Sequence, residues 1–238
     1  MRTLMLILPL LAACEAPPEG TLDETFEITE EVLRLDLDNG NGDVFVNATD
    51  DDVITVQAQH HGDDSDALPQ VSGGILSLAT QCSTSDGPCT IDYTLWVPEG
   101  VEIDATTTTG DIVLVGMGGA ANLQTTSGNI EIDTFSADTL LIQVESGPIF
   151  GNRLAAEEVV VQSTSGFIDL VFEQRPRTVT STTGDGDIAY AVPSGAYAID
   201  ATTGDGQVTI ADELTDDDSS DASLSATTDR GDVRLIGL

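Results

Sequence analysis

The acidic residues in two glycine-rich turns are the side chains with the clearest potential for chemistry. Asp185 and Asp205 each lie in a Gly-Asp-Gly turn, one repeat apart, and Asp187 follows the first of these turns. If the turns stack, Asp185 and Asp205 lie about 5 Å apart and repel by roughly 0.8 kcal/mol in water. Ca²⁺ would relieve this repulsion, because it binds carboxylate and backbone oxygens. The turns therefore predict a calcium site at Asp185, Asp187 and Asp205. The alternatives are a solvated acidic ridge and pairing with Arg230, which we expect next in the stack.

Catalytic motifs are absent from the sequence, which contains no GxSxG, no HExxH and no Lys for a phosphate-binding loop. The two histidines, His60 and His61, are adjacent and are expected in an exposed loop. Polysaccharide lyase is the enzyme class that stays open, because β-helical lyases use Asp-bound Ca²⁺ and an Arg base. Arg153, Arg175 and Arg177 are available for that role, but no spacing brings them near the acids. We therefore expect a protein that is not an enzyme.

The N-terminal segment that ends at Cys14, MRTLMLILPLLAAC, has the form of a bacterial lipoprotein signal. Arg2 precedes an apolar stretch that is too short to span a bilayer as a helix. Leu-Ala-Ala-Cys then matches a lipobox, in which Cys14 is acylated, for example with palmitate, and becomes the first residue of the mature chain. A plain secretory signal is the alternative. Since Glu15 and not Asp follows, we expect a lipid-anchored protein of the cell envelope, at the outer membrane.

The two remaining cysteines, Cys82 and Cys89, lie in QCSTSDGPC. In an exported protein this spacing predicts a small loop closed by a disulfide. A metal or redox pair is the alternative, but the CxxC spacing and nearby His ligands are missing.

The charge balance excludes whole classes of partner. The chain has 42 acidic and seven basic residues, a formal net charge of −35. All the basic residues are Arg. Nucleic acids and anionic membrane surfaces require basic patches, so we expect neither as an electrostatic partner. At 40% hydrophobic residues, the chain can still build a core, so it is not a disordered acidic tail.

One short pattern recurs along the chain: Gly, any residue, Ile or Val, any residue, an apolar residue. A Thr/Ser-rich tract precedes each copy of the pattern. Before that tract lies another stretch in which apolar and polar residues alternate. The repeated glycines are Gly110, Gly128, Gly147, Gly166, Gly186, Gly206 and Gly231, with an earlier copy at Gly42. Alternation with period two indicates strands, and the nearly constant interval between the glycines indicates stacked coils. We predict an all-β chain that folds as a single-stranded parallel β-solenoid, a right-handed β-helix, with a β-sandwich as the alternative.

The pattern also divides the chain into segments. Residues 1–13 are the predicted signal peptide, and residues 14–30 are an acylated cysteine followed by an acidic, Pro-rich spacer. Residues 31–238 form one domain, in which 31–100 is the irregular, disulfide-bearing start and 101–238 contains the regular coils. The acid-rich segment 212–221 lengthens the interval between Gly206 and Gly231 and is expected to be an inserted, solvated loop.

The stretch VPEGVEIDATTTTGDIVL, followed by repeated TxSGxI units, resembles the bacterial β-strand-repeat adhesin family of the head-GIN type. The resemblance covers residues 31–238 and is strongest over 97–210. It implies an envelope β-solenoid with an adhesin-like role and offers no catalytic motif.

Together these features predict a non-enzymatic cell-envelope lipoprotein that acts as an adhesin-like or scaffolding module. Its partners would be the membrane, through the N-terminal lipid, and a protein or glycan at the cell surface. The alternative is a Ca²⁺-dependent polysaccharide-binding protein or a lyase of β-helix form. No cofactor is expected apart from the calcium considered at the turn acids.

Overall fold

The structure, a computed structural model, describes residues 22–61, 65–82 and 89–238, and these residues form strands and no helix. The expectation of an all-β chain is confirmed. Within the described ranges, no helix is therefore available to cross a membrane. Cys14 and the predicted signal segment 1–13 lie outside them.

Two large sheets contain the strands. In chain order these are β1 (Leu22–Ile28), β2 (Arg34–Asn41), β3 (Val44–Thr49), β4 (Ile54–His61), β5 (Ser65–Ala67), β6 (Gln70–Ser72), β7 (Ile75–Cys82), β8 (Thr90–Pro98), β9 (Glu102–Thr109), β10 (Ile112–Val115), β11 (Ala121–Ser127), β12 (Ile130–Phe135), β13 (Thr139–Ser146), β14 (Ile149–Leu154), β15 (Glu158–Ser165), β16 (Ile168–Phe172), β17 (Thr178–Asp185), β18 (Ile188–Val192), β19 (Gly195–Asp205), β20 (Val208–Ile210), β21 (Leu214–Asp216), β22 (Ser223–Arg230) and β23 (Val233–Gly237). Sheet A has the order β1-β4-β8-β3-β10-β12-β14-β16-β18-β23-β20. Sheet B has the order β21-β19-β22-β17-β15-β13-β11-β9-β2-β7-β5, and β6 also pairs with β7.

Each regular coil consists of one strand of sheet B, a glycine turn and one strand of sheet A. Thus β9 leads through Gly110 into β10, and β11 leads through Gly128 into β12. Equivalent strands of successive coils pair in parallel, with Ile112 opposite Ile130. The chain changes sheet at every turn and its neighbours are parallel, so the fold is β-solenoid-like and the β-sandwich alternative is wrong. The right-handed sense of the coil stays a prediction.

The space between the two sheets is filled by small and medium aliphatic side chains. Alternate residues point inward along every strand, so Ile103 and Ala105 on β9 meet Ile112 and Leu114 on β10, each at most 2% exposed. One coil alone could not bury these residues, and stacking supplies the missing neighbours above and below.

Successive turns approach so closely that only glycine fits between them. A Cβ added to Gly128 would overlap the carbonyl oxygen of Gly110, and a Cβ added to Gly147 would overlap that of Gly128. The φ angle of Gly147 is 146°, which L side chains rarely adopt. We call this column the glycine stack; its other members that show the same overlap are Gly42, Gly110, Gly166, Gly186, Gly206 and Gly231.

Polar side chains on both sides of the glycine stack complete its hydrogen bonds. Inside, a Thr three residues before the glycine donates to the carbonyl of the neighbouring stack glycine, as Thr228 does to Gly186 at 2.9 Å. Outside, the Asp after the glycine accepts from the backbone N–H of the equivalent residue in the next coil. The amide of Asn129 donates to Asp111 at 2.7 Å, and the amide of Asp111 donates to Asp43 at 2.8 Å. The Thr-x-x-Gly-Asp pattern is therefore a structural unit.

The last coil in the sequence is not the last coil in space. β22 lies between β17 and β19, and β23 lies between β18 and β20. At the other end, the coil β2–β3 lies between β7–β8 and β9–β10. The coils therefore follow chain order from β9 to β18 but not at either end of the stack.

The start of the domain differs from the prediction in two further ways. Leu22–Ile28, which the sequence placed in the spacer, forms β1 and pairs antiparallel with β4. His60 and His61, which were expected in an exposed loop, end β4 instead. His60 is buried, and Nε2 of His61 lies 2.7 Å from Oδ2 of Asp92.

The glycine stack makes a specific prediction about stability. Gly128→Ala should lower the free energy of unfolding by roughly 1–3 kcal/mol, because a Cβ meets backbone that cannot move independently. Gly40→Ala is the matched control, since nothing lies within 4 Å of its added Cβ. Urea unfolding of both variants measures the difference. Equal unfolding midpoints for the two variants would show that a Cβ fits at Gly128 and would contradict this prediction.

The outer Asp residues make a second prediction. Asp111→Ala leaves the amide of Asn129 without its acceptor and should cost about 0.5–1.5 kcal/mol. Asp218→Ala removes the same charge from an exposed loop position, so it controls for the relief of general acidic repulsion. Thermal unfolding should show a lower midpoint for Asp111→Ala and an unchanged or higher midpoint for Asp218→Ala. A higher midpoint for both variants would mean that the hydrogen bond from Asn129 to Asp111 does not stabilise the fold.

Candidate functional site

The two turn carboxylates predicted to share a calcium ion are not neighbours. Arg230 lies between them, because the inserted strand β22 places it opposite Asp185 on one side and Asp205 on the other. Its guanidinium Nη2 donates to Oδ2 of Asp185 at 2.8 Å. The expected 5 Å contact between Asp185 and Asp205 is therefore wrong, and so is the expectation that Arg230 follows both of them. Two coil spacings, roughly 10 Å, separate the acids.

The third calcium candidate, Asp187, belongs to the outer row of Asp side chains that each accept a hydrogen bond from a backbone N–H of the neighbouring coil. Its Oδ1 accepts from the backbone N–H of Asp232 at 2.8 Å, and Asp232 in turn accepts from the N–H of Gln207 at 2.8 Å. Asp232 thus lies between Asp187 and Gln207 in this row. One carboxylate oxygen of Asp187 and one of Asp232 already accept backbone hydrogen bonds. Fewer oxygens in this row are therefore free to coordinate a cation.

Clusters of three or more His, Cys, Asp or Glu side chains suited to a metal ion do not occur among the described residues. Calcium binding at Asp185, Asp187 and Asp205 stays a prediction, but these positions no longer form one site.

The acid-rich segment 212–221 is held to the body of the protein by Arg175. This side chain donates to Oδ1 of Asp221 at 3.2 Å and to Oγ of Ser220 at 3.1 Å, and it lies 4.9 Å from the ring centre of Tyr197. Burial raises the pKa of Tyr197, and Arg175 opposes that shift. Within the loop, hydrogen bonds from Ser219 lower the pKa of Asp217. The segment also contains β21, which pairs with β19 and buries Leu214. The expectation that 212–221 is only a solvated loop is therefore wrong.

Of the three arginines considered for a lyase, Arg153 lies apart from the other two. Arg153 on β14 pairs with Asp133 at 2.6 Å, while Arg177 precedes β17 and lies 3.4 Å from Glu158. Arg175 binds the acid-rich segment. Arg175 and Arg177 line one shallow pocket of about 270 Å³ with Glu157 and Asp221, but each guanidinium there is paired with an acid.

The predicted disulfide lies at the edge of the described residues. Cys89 is disulfide-bonded, and the backbone of Cys82 ends β7 opposite Ser65. The side chain of Cys82 lies outside the described part of the chain, so its pairing with Cys89 stays a prediction.

A groove of about 490 Å³ lies on the outer face of sheet B, and it carries little charge. It runs across β9, β11, β13, β15 and β17. Its lining residues carry hydroxyl and amide groups, and Glu145 is the one carboxylate among them; they are Thr106, Thr107, Gln124, Thr125, Thr126, Gln143, Val144, Glu145, Gln162, Ser163, Thr164 and Thr182. We call this surface the neutral groove.

The parallel register explains why these side chains form a continuous row. The residue four positions before each turn glycine points outward, and equivalent residues pair across coils. Gln124 lies opposite Gln143, and Gln143 lies opposite Gln162, with Nε2 of Gln143 3.4 Å from Oε1 of Gln162. The row is therefore a ladder of amides one strand spacing apart, closed at its ends by Thr106 and Thr182.

Sequence reasoning missed the neutral groove, although a signal was present. The turn acids were conspicuous, yet most of them serve the backbone. The informative position lies four residues before each repeated glycine from Gly110 to Gly231. It is Thr or Gln in every one of these coils and never an acid. This pattern indicates a binding surface only once the position is known to face outward.

An exposed aromatic pair interrupts the outer row of Asp caps in the middle of the stack. Pro148 and Phe167 stand where the other coils have Asp, Asn or Gln. Phe150 and Phe167 pack edge-to-face with ring centres 4.9 Å apart. The two rings are 37% and 42% exposed. This apolar spot also escaped the sequence reasoning.

Comparison with known proteins places the fold. The chain is similar to a candidate adhesin of Bacteroides fragilis NCTC 9343, with 13% identity, a TM-score of 0.54 and coverage of 91% of this chain and 98% of that chain. A candidate adhesin of Parabacteroides distasonis ATCC 8503 has 12% identity, a TM-score of 0.52 and the same two coverages. No curated protein matches the chain. The expected head-GIN type stays a prediction. The Toastrack DUF4097 family model matches residues 92–236, more than half of the chain, and the protein therefore belongs to the Toastrack DUF4097 family.

Proposed function

We propose that this protein is a non-enzymatic, adhesin-like lipoprotein of the cell envelope that binds a neutral polysaccharide in the neutral groove. The lipid at Cys14 would hold it on the outer membrane, and the solenoid would present the groove to the surroundings. The single observation that carries the proposal is the ladder of uncharged amides and hydroxyls in a chain whose net charge is −35.

The chemistry of the groove fits a hydroxyl-rich ligand. Gln side chains both donate and accept hydrogen bonds, and Thr hydroxyls do the same, so the ladder can exchange bound water for sugar hydroxyls. A neutral polymer also escapes repulsion by the acids that surround the groove. A protein partner would need apolar or aromatic anchors, and the lining offers Val144 as its single aliphatic residue among the twelve described lining positions.

The structural relatives lend support of a general kind. The two similar structures are described as adhesin candidates, and a solenoid with one long, flat face is suited to extended ligands. The calcium-dependent and lyase alternatives would need acids and an Arg to converge. Arg230 separates Asp185 from Asp205. Arg175 and Arg177 share one pocket with Glu157 and Asp221, but both guanidinium groups are held in ion pairs with acids. The binding proposal is therefore the better supported.

The test compares two variants of equal charge. Gln143→Glu with Gln162→Glu should weaken binding to neutral glucans and galactomannans at least about tenfold, because it removes two donors and adds adjacent like charges. Gln59→Glu with Gln174→Glu adds the same charges at exposed positions outside the groove. Affinity electrophoresis in gels that contain each polysaccharide provides the measurement.

The expected outcome is retardation of the wild type and of the control variant, with loss for the groove variant. Equal retardation of both variants would place binding elsewhere. No retardation by any neutral polysaccharide would overturn the proposed ligand class.

A further inference from the structure

The two ends of the solenoid are finished differently. At the N-terminal end, sheet A continues beyond the coil β7–β8 with the antiparallel strands β4 and β1. At the other end, β20 is the last strand of sheet A, and β19 is followed only by the short β21, which pairs with residues 195–197. From Ile199 to Asp205, the outer edge of β19 therefore has no strand partner among the described residues.

The hydrophobic core is open at this second end. Val208 and Ile210 are in register with Val233 and Leu235 of the neighbouring strand. The inner pair is completely buried, whereas Val208 and Ile210 are each 40% exposed. Ile199 packs against the core but is only partly buried. Among the described residues, no further coil covers these apolar side chains.

Beyond Ile199, the outer edge of β19 presents backbone hydrogen-bonding groups that no strand of the described residues pairs with. In a parallel pair, both polar groups of every second residue face the same neighbour. The N–H of Ala198 donates to Ala222 on the β22 side, while the N–H of Ile199 turns outward and donates to the side chain of Asp216. Ala201 and Thr203 continue the outward set. An edge of this kind is a template for a further strand.

Acids surround this open end. Asp205 ends β19, and the segment that joins β20 to β21 and continues past it carries five more; these are Asp212, Glu213, Asp216, Asp217 and Asp218. Among the basic residues near this end, Arg175 is already bound to Asp221 and to the backbone of Ala196. Arg230 and Arg234 lie one coil further in, where Arg230 pairs with Asp185. A second copy of this chain would bring the same acids face to face.

We propose that the open end is a strand-addition site for an extended peptide segment in which apolar and basic residues alternate. The segment adds to the edge of β19 along residues 199–205 and continues sheet B. Its apolar side chains face inward and cover Val208 and Ile210, as the inner faces of two packed sheets do. Its basic side chains face the acids of the terminal coil. This site lies at the end of the stack, beyond the β17 limit of the neutral groove, and does not depend on the proposed polysaccharide.

The test uses a fluorescein-labelled peptide, Arg-Val-Arg-Ile-Arg-Val-Arg, and the full chain. We expect saturable binding in fluorescence anisotropy. Ala201→Pro removes an outward N–H while leaving the bonds to β22, so it should weaken binding at least tenfold. Thr202→Ala, on the same strand but off the edge, is the matched control. Thermal unfolding of both variants checks that the fold is retained.

General attraction of a cation to an acidic protein is separated by a second peptide. The same sequence, N-methylated at alternate residues, keeps its charge but cannot complete a strand ladder. Weak binding of this peptide, with tight binding of the unmodified one, supports strand addition. Equal binding of both peptides, or equal binding to wild type and Ala201→Pro, would overturn the proposal. Sedimentation without peptide that shows a dimer, lost in Ala201→Pro, would also overturn it in favour of a second copy.

Discussion

The close approach of successive glycine turns is the constraint on which the rest of this structure depends. Because the carbonyl of one stack glycine lies where the Cβ of the next residue would be, the turns can have only one registry. That registry aligns every strand of both sheets. It also leaves a carbonyl inside and an amide outside at each turn, and Thr and Asp side chains satisfy them. Sequence, hydrogen bonding and packing thus agree at the same five-residue unit.

This arrangement changes how the large negative charge is understood. Several acids that resemble metal ligands in the sequence are hydrogen-bond acceptors for the backbone, and Arg230 separates the two that were expected to touch. Insertion of β22 and β23 replaces a contact between like charges with an alternation of Asp185, Arg230 and Asp205. Two surfaces are then the candidates for recognition. One is the neutral groove, which carries little charge, and the other is the open end of the stack.

The sequence was sufficient to predict strands, coil length and inward residues, because alternation and the glycine interval are local signals. It could not predict coil order. The interval between Gly186 and Gly206 is that of adjacent coils, and β19 pairs with β22 through the same Thr, Gly and Asp contacts that any two coils use. The inward residues of the two coils also match in size, with Val208 opposite Val233 and Ile210 opposite Leu235, so side-chain volume does not reveal which coil lies inside. The neutral groove was hidden for a related reason: outward positions carry no packing signal.

The inserted coil is the claim on which the Arg230 contacts and the open end both depend, and paired cysteines test it directly. In Thr182→Cys with Thr227→Cys, the two residues lie opposite each other on neighbouring strands, within the Cα separation that a disulfide spans. In Thr182→Cys with Thr202→Cys, about 10 Å separates them, which is too far. Oxidation followed by peptide mapping should give a cross-link in the first variant and none in the second. A cross-link between positions 182 and 202 would show that the coils stack in chain order and would contradict the account.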